Sequence, residues 1–465
     1  MQNQQQRLKS CVVKLDRLRC NMDSKSGNNK KLKILILSAP IGSGHRMAAV
    51  ALEEVLLRLE NVEVVQGNVF AFFPSWLGNA FLKFYEKVLA FCPWLYALSY
   101  RWSNRDGGSL WMRNLINSIL LHLGKAFIDE VKPDVVFSTH ATPTGILSLY
   151  KQKYDNNLWL GVVVTDFTVH RWLVCPGVDA YFVADEKLLG QIGDPADFCE
   201  VKAGQACSES GPDASEAGEN KAHPSPMLPV LCASGIPVRA AFAEQNDLAA
   251  VRAEVRRRFG WPGDAFVCLL AGGGGGMLPM EEIVVSLYNS KYKNIHVIAV
   301  AGHNDGLRKK LEAVRKAFMV KPVYAENRND AKSVPADDPS RQSQNYGFRL
   351  AVLGFTDEMP QLMQAADVVI TKAGGVSLAE CLACGANILI YHPLPGQEQG
   401  NTAFLQKEYG VAALTDLRQL DEFLEREMNL PLAERLQRQE ERQQRCGYRP
   451  AAEQIAEFAD GLRNR

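Results

Sequence analysis

The chain carries no net charge: 52 Lys and Arg balance 52 Asp and Glu over 465 residues. A protein-wide field is therefore absent, so nucleic acid is not an expected partner, and a charged partner has to be drawn by local patches. No uninterrupted apolar run approaches the ~18 residues that a membrane-crossing helix needs. No apolar signal-peptide core precedes residue 31, and the 11 cysteines follow no regular framework. A cytosolic protein with reduced thiols is expected, several of them (Cys268, Cys381) in apolar runs that favour burial. Cys381 and Cys384 form a lone C-x-x-C; a zinc site needs four ligands and no second pair is near, so no metal is expected. There is no Gly-Lys-Ser/Thr to make a Walker A loop.

What is present is a repeated α/β pattern. The length is too great for one ordinary core and suggests two domains. Residues 1–31 read as a mobile polar tail. From Lys33, "KILILS" is a continuous apolar strand, followed by the turn "APIGSG" and a helical run from His45 to Leu59. Further strands are expected at Val62–Val65, Val135–Ser138, Leu158–Val164 and Tyr181–Val183. The small, polar, Pro/Gly-rich stretch 203–229 reads as a flexible insertion. The same pattern then restarts: "FVCLL" leads to "AGGGGG", "HVIAVAG" and "RLAVLGF" to helices, "DVVIT" to "KAGG", and "NILIY" to "HPLPGQEQGN". Residues 321–347 form a second polar insertion. Continuous apolar strands alternating with helices indicate parallel sheets covered on both faces. The expected class is therefore α/β, with two Rossmann-like parallel-sheet domains, 32–202 and 230–445, facing each other across a cleft. A closing helix, 446–465, is free to return to the first domain.

Ligands of open parallel sheets sit beyond the carboxyl ends of the strands, where both domains carry glycine-rich turns. In "SAPIGSGH" the glycines let backbone approach an anion and a helix N-terminus adds its positive dipole end, although a tight turn with nothing bound has the same spacing. His45, at that helix start, has an ordinary pKa near ~6.5 and can accept a proton from a hydroxyl. A capping or solvated histidine is the plainer reading. "VVVTDFTVHRWLV" puts Asp166 and His170 on the same edge as His45, where either could tune it for catalysis. Asp166 could fix a histidine tautomer or stabilise its charged form, as carboxylates do beside catalytic imidazoles, or simply cap a turn. In "GFTDEMPQLMQAADVVITKAGGVSLAE", Gly374 and Gly375 leave the N–H groups of the next helix open to a diphosphate. Glu380, one turn in, could accept hydrogen bonds from two ribose hydroxyls. Gln397, Glu398 and Asn401, on the proline-shaped loop "HPLPGQEQGN", suit sugar hydroxyls.

Residues 69–105 hold a dozen of the chain's 40 aromatics in under a tenth of its length, interleaved with Lys83, Lys87, Arg101 and Arg105. Helical segments with Trp, Phe and Leu on one side and cations on the other lie in the membrane interface. Core helices or a dimer contact would share that composition. Trp76, Phe81, Lys83, Phe84, Lys87, Trp94 and Arg101 are the residues expected to meet acceptor or membrane.

These motifs resemble those of the diacylglycerol glycosyltransferase family: plant-type monogalactosyldiacylglycerol (MGDG) synthase and the bacterial processive diacylglycerol β-glucosyltransferase. They are more distantly similar to the N-acetylglucosaminyltransferase that acts on a lipid-linked peptidoglycan precursor. The resemblance runs from about Lys33 to Ala413 and rests on "GSGHRMAA", "VTDFTVHRWLV", "GIPVR", "AGGGGG", "GFTDEMPQLMQAADVVITKAGGVSLAE" and "PGQEQGN". It implies a GT-B fold, inversion at the anomeric carbon, and a UDP-sugar co-substrate held mainly by the second domain without a metal or other cofactor. It makes His45 the base or acceptor-positioning histidine, Arg239 the arginine that meets the diphosphate, and Glu380 the ribose-binding glutamate. Gly274 and Gly275 join Gly374 and Gly375 on the donor side, with Gln397, Glu398 and Asn401 as sugar contacts. The implied reaction moves glucose or galactose from a UDP-hexose to 1,2-diacylglycerol at an anionic membrane surface, with the protein peripheral on the inner face of the cell membrane. A lipid-linked peptidoglycan precursor as acceptor, or a UDP-sugar-binding regulator without turnover, are the alternative readings. The sequence departs from the family at Gly42-Ser43-Gly44, where a glycine triplet is usual, and at Ala240-Ala241, where proline is. These departures leave donor and acceptor open, and no signal of oligomeric state is present.

Overall fold

The strand β1 (Leu32–Ser38) shows why a continuous apolar run was needed. Ile34, Leu35, Ile36 and Leu37 are all fully buried, Ile34 and Ile36 in one hydrophobic cluster and Leu35 and Leu37 in another. Each face of the strand is covered by helices, as in a central parallel strand. A computed structural model describes residues 31–39, 42–72, 93–104, 109–193, 228–292, 294–320, 347–445 and 450–464.

Along the first domain, β1 is followed by α1 (Gly44–Leu56), β2 (Val62–Asn68), α2 (Pro93–Ser103), α3 (Leu110–Val131), β3 (Val135–Ser138), α4 (Ala141–Tyr154), β4 (Trp159–Val163), β5 (Ala180–Phe182) and β6 (Val230–Cys232). The sheet order is β2-β1-β3-β4-β5-β6, parallel throughout. The order reverses between β1 and β3, so the turns after these strands open a crevice. That crevice receives Gly42-Ser43-Gly44-His45 from one side and Thr139-His140 from the other.

The second domain contains α5 (Ala240–Ala243), α6 (Leu248–Arg258), β7 (Phe266–Ala271), α7 (Met280–Asn289), β8 (Ile295–Val300), α8 (Asp305–Val320), β9 (Arg349–Leu353), α9 (Met359–Ala365), β10 (Val368–Thr371), α10 (Gly375–Ala383), β11 (Ile388–Tyr391), α11 (Gln397–Tyr409) and β12 (Ala412–Leu414). Its sheet, β12-β11-β10-β7-β8-β9, is again parallel. The crevice here lies between β7 and β10. α12 (Leu420–Met428), α13 (Leu432–Arg445) and α14 (Ala451–Gly461) complete the chain. α13 is tied down by Arg435, which shares the fully buried Asp367 carboxylate with Arg252 (2.7 Å) and Arg256 (2.8 Å) of α6. Such a buried cluster, with one partner removed, leaves uncompensated charge and is strongly destabilising.

Two features of the domain division depend on tertiary pairing. The second domain was expected from residue 230, but Val230–Cys232 pairs with β5 as the edge strand of the first sheet, so the first domain extends past the insertion. A three-residue apolar run is too short to signal a strand by itself; its partner makes it one. At the other end, α14 packs on α1 and the first sheet: Ile455, Ala456 and Ala459 share a cluster with Ile34, Leu52 and Val163, and the Phe458 ring meets Trp159 and Phe182. The proposed insertions 203–229 and 321–347, and the tail 1–31, lie almost wholly outside the described residues.

Candidate active site

The crevices of the two sheets face each other across a cleft that is open to solvent. The second domain contributes the carboxyl ends of β7, β8 and β9 and the first turns of α10. Gly272, Gly273 and Gly274 form one wall, His303 and Phe355 the rim, and Glu380 and Arg239 the far end. Ser43, Gly44, Arg46 and Met47 of the first domain close it. The domains touch directly: the Gly274 N–H donates to Ser43 Oγ at 3.3 Å, and a Cβ on Gly274 would stand 3.0 Å from the Ser43 Cβ. Of the two loop glycines singled out from the sequence, Gly274 lines the cleft, whereas Gly275 is exposed and outside it; Gly272 and Gly273 are the residues that belong there.

The donor end pairs an acid with a cation. Burial pushes the Glu380 carboxyl up to about 7, opposed by the nearby Arg239 guanidinium. Arg239 has capacity to spare. Its Nε is buried with no hydrogen-bond partner, and its Nη1 lies 3.7 Å from Asp357, a carboxylate 81% exposed. An exposed pair of that length contributes little, so an incoming anion can take the guanidinium over. Arg46 is a cation the sequence reading missed; its place beside His45 in "GSGHRM" is the only signal for it. Phe355 was also missed. Its ring is 53% exposed and stacks on His303 at 4.4 Å, leaving a flat aromatic face at the cleft rim.

His45 sits behind this wall. Its Nδ1 lies 2.9 Å from the Thr139 carbonyl and 2.8 Å from Thr165 Oγ1. A carbonyl can only accept, so Nδ1 carries the proton and Nε2 keeps the lone pair. The tautomer is thus set by backbone, where a carboxylate had been the expected orienter. Burial pulls the imidazole below its ordinary value of 6.5, with Asp166 and the Thr139 bond pulling the other way. The ring is therefore neutral at pH 7. Its ring neighbour is His140, 4.7 Å away edge to face, which N-caps α4 through the Thr142 N–H at 3.2 Å and which the sequence reading passed over. His170, expected to tune His45, does something else. It caps the turn at Arg171 by accepting from the Trp172 N–H at 3.1 Å, and its Nε2 lies 3.1 Å from Ser103 Oγ.

The loop "HPLPGQEQGN" reaches across to the first domain. Asn401 is fully buried; its Oδ1 accepts from the Phe167 N–H at 2.8 Å, and its Nδ2 donates to Asp166 Oδ1 and the Ala373 carbonyl, each at 2.9 Å. Gln397 donates to the other Asp166 oxygen. Burial raises the Asp166 carboxyl, while His45 and the two amides hold it toward the charged form. The sugar-contact reading of Asn401 is thus corrected, because both polar atoms of its amide are spent within the protein, two bonds on the facing domain and one on Ala373 of its own. Glu398 is likewise 8% exposed, paired with Lys372 and accepting from the Leu394 N–H at 2.9 Å, so it shapes the loop. Gly375 is corrected too. A Cβ there would stand 2.1 Å from the Thr165 carbonyl and 2.7 Å from Asp166 Oδ1, so its bareness admits the facing domain. Gly374 lies beside Lys372 and Glu398, 3.5 and 3.9 Å from a notional Cβ. The first turn of α10 still reaches the cleft through Val376 and Ser377.

Of the acceptor and membrane residues, Trp76, Phe81, Lys83, Phe84 and Lys87 lie outside the described residues. Trp94 is 65% exposed on α2, with Arg101 exposed near its end. α3 adds Trp111, Leu115 and Ile119, all exposed at four-residue spacing and so on one face.

Two family patterns match along the chain: monogalactosyldiacylglycerol (MGDG) synthase over residues 45–194, and the glycosyltransferase family 28 C-terminal domain over 312–460. The chain is a glycosyltransferase whose first domain is similar to MGDG synthase. It is 25% identical over 382 residues to the processive diacylglycerol beta-glucosyltransferase of Bacillus subtilis (strain 168), covering 81% of this chain and 82% of that protein. It is 24% identical over 407 residues to the Bacillus pumilus (strain SAFR-032) protein of the same name, covering 86% and 87%. Among solved structures, Acinetobacter baumannii MurG superposes with a TM-score of 0.52 at 12% identity, over 92% of this chain and 99% of that one. Spinosyn rhamnosyltransferase SpnG, complexed with thymidine diphosphate, gives 0.51 at 9%, over 92% and 100%. The two parallel-sheet domains across a cleft are the GT-B fold of these glycosyltransferases. Both match boundaries fall at informative places: the first begins on His45 itself, and the second runs through α14.

Proposed function

We propose that this glycosyltransferase moves a hexose, glucose or galactose, from a UDP-sugar to the free hydroxyl of 1,2-diacylglycerol, with inversion and without a metal. The observation that carries the reading is a neutral, backbone-oriented imidazole between Gly44 and Arg46, beside a cleft that also holds Arg239 and Glu380. The donor nucleotide occupies that cleft, with its ribose on the Glu380 carboxylate and its diphosphate between Arg239, Arg46 and the Gly272–Gly274 amides. His45 Nε2 takes the hydroxyl proton as the acceptor oxygen bonds to the anomeric carbon. The bond from that carbon to the β-phosphate oxygen breaks on the opposite face, and its electron pair leaves with UDP. Proximity lowers the barrier and fixed cations stabilise the leaving group. Asp166 offsets the positive charge that develops on the imidazole.

The relatives' names support diacylglycerol as the acceptor. Among the described residues no helix is long and apolar enough to cross a membrane. The exposed faces of α2 and α3 fit a peripheral attachment, with the exposed Arg101 meeting an anionic leaflet at on the order of 1 kcal/mol. In this reading the protein is peripheral on the inner face of the cell membrane.

The test incubates purified protein with radiolabelled UDP-glucose or UDP-galactose and diacylglycerol liposomes. One donor is expected to yield labelled monoglycosyldiacylglycerol, and His45→Ala to abolish it while UDP binding by calorimetry persists, because His45 does not line the cleft. Absence of labelled lipid with both donors refutes the reading. Equal loss of transfer and UDP binding would make His45 structural.

A further inference from the structure

α2 has two opposite faces. One carries Trp94, Leu98 and Trp102, which are 65%, 59% and 37% exposed and recur every four residues. The other carries Tyr100, which is seated on the second domain. Gly396, at φ +91°, has no room for a side chain there: a Cβ would stand 2.9 Å from Tyr100 Cγ and 3.0 Å from Cδ1. Gly396 directly precedes Gln397, whose amide holds Asp166. The same helix is fastened to the acceptor side. Tyr100 packs on the His170 ring at 4.8 Å, Ser103 Oγ meets His170 Nε2 at 3.1 Å, and Asn104 Oδ1 accepts from the Arg171 N–H at 2.8 Å. One short helix therefore spans both domains at the edge of the reacting groups, with its free face apolar.

We propose that Tyr100 is a positioning residue through which α2, seated on a lipid surface, presses on Gly396 and keeps Gln397 on Asp166, so that transfer depends on membrane contact as well as on acceptor supply. This rests on the lipid-acceptor reading above. Without a surface, the apolar face of α2 is in water and adds nothing to the His170 and Arg171 contacts that hold the Tyr100 ring over Gly396. A surface that binds that position better shifts the population toward the assembled site.

The experiment uses the full-length protein, a short-chain diacylglycerol (dioctanoylglycerol) as acceptor, and vesicles of phosphatidylglycerol and phosphatidylcholine that contain no diacylglycerol. Wild-type turnover is expected to rise about tenfold on adding vesicles, the scale of a modest two-state bias. Tyr100→Ala is expected to sediment with vesicles as wild type does and to bind UDP normally, yet to lose that rise through kcat rather than KM. Tyr100→Phe, which keeps the ring, restores it. Gly396→Ala approaches the same contact from the other side and should copy Tyr100→Ala, which guards against misfolding of either variant. Trp94→Ser with Leu98→Ser should lose vesicle binding and the rise together. A Tyr100→Ala protein with the full rise overturns the proposal, and so does one that no longer binds vesicles, since the ring would then belong to the lipid face. If wild type makes no labelled lipid from either donor although it binds UDP and vesicles, the lipid-acceptor reading itself fails and takes this proposal with it.

Discussion

Asn401→Ala probes the contact that joins the two domains. It removes three hydrogen bonds of 2.8–2.9 Å from a fully buried position. Left behind are the Phe167 N–H, the Ala373 carbonyl and Asp166 Oδ1, while Gln397 stays on the other Asp166 oxygen. Each buried group left unpaired costs roughly 1–3 kcal/mol. Three such groups make about 3–9 kcal/mol, which the protein can relieve by parting the domains and admitting water. The loss is then expected in the closed population: about 3 kcal/mol lowers kcat/KM by roughly two orders of magnitude. UDP affinity of the second domain should change far less, since Asn401 does not line the cleft. Asn401→Asp separates charge from shape. It sets a second carboxyl against Asp166 in a dry site, where both cannot ionise, so one proton is retained. The remaining charge is shared between the two carboxyls, so Asp166 raises the His45 pKa less, and the acid limb of kcat/KM should move to lower pH than in wild type. The assay combines initial rates over pH 5–9, UDP calorimetry, thermal melts and small-angle scattering. An Asn401→Ala protein with wild-type melting and wild-type compactness but a raised donor KM would refute the latch and return Asn401 to the sugar.

Two further outcomes follow from the donor end and the interface. Glu380 has its pKa raised to about 7 by burial, and only its ionised form accepts hydrogen bonds on both oxygens from ribose; UDP should therefore bind more weakly as pH falls through about 7, and Glu380→Gln should bind weakly with no such dependence, both read by calorimetry. Gly375→Ala puts a methyl 2.1 Å from the Thr165 carbonyl, within a backbone contact that cannot give way cheaply; transfer should fall at least as far as in Asn401→Ala, and a variant with wild-type kcat would show that the domains separate during turnover more than this contact allows.

Much of the fold could be read from single segments. "KILILS", "FVCLL" and "NILIY" are apolar on both sides of the strand, which only a sheet covered on both faces can use, and the glycine turns after them marked the ends at which the cleft forms. The GSGH turn, Arg239 and Glu380 stand where those turns lead. The reading failed where a residue's role depends on what faces it. Gln397, Glu398 and Asn401 are short polar groups after a proline turn, equally suited to a sugar or to another domain; Asp166, Phe167 and Ala373 took Asn401. Gly375 was assigned to a phosphate because a glycine at a helix start permits close approach, but the approaching group is the Thr165 carbonyl. His140, Arg46 and Phe355 carry no spacing signal, and they matter because β3, α1 and β9 end beside the same space.

Local chemistry along the chain thus determined two parallel sheets, the edge at which ligands bind, and a histidine, an arginine and a glutamate suited to a nucleotide sugar, since strand burial and turn geometry are written into neighbouring residues. Tertiary structure decided the rest: that β6 belongs to the first sheet, that α14 returns to it, that a backbone carbonyl sets the His45 tautomer, and that an amide once read as a sugar contact holds the domains together. Those roles arise between residues far apart in the chain, where the facing surface selects which hydrogen bonds a side chain can make.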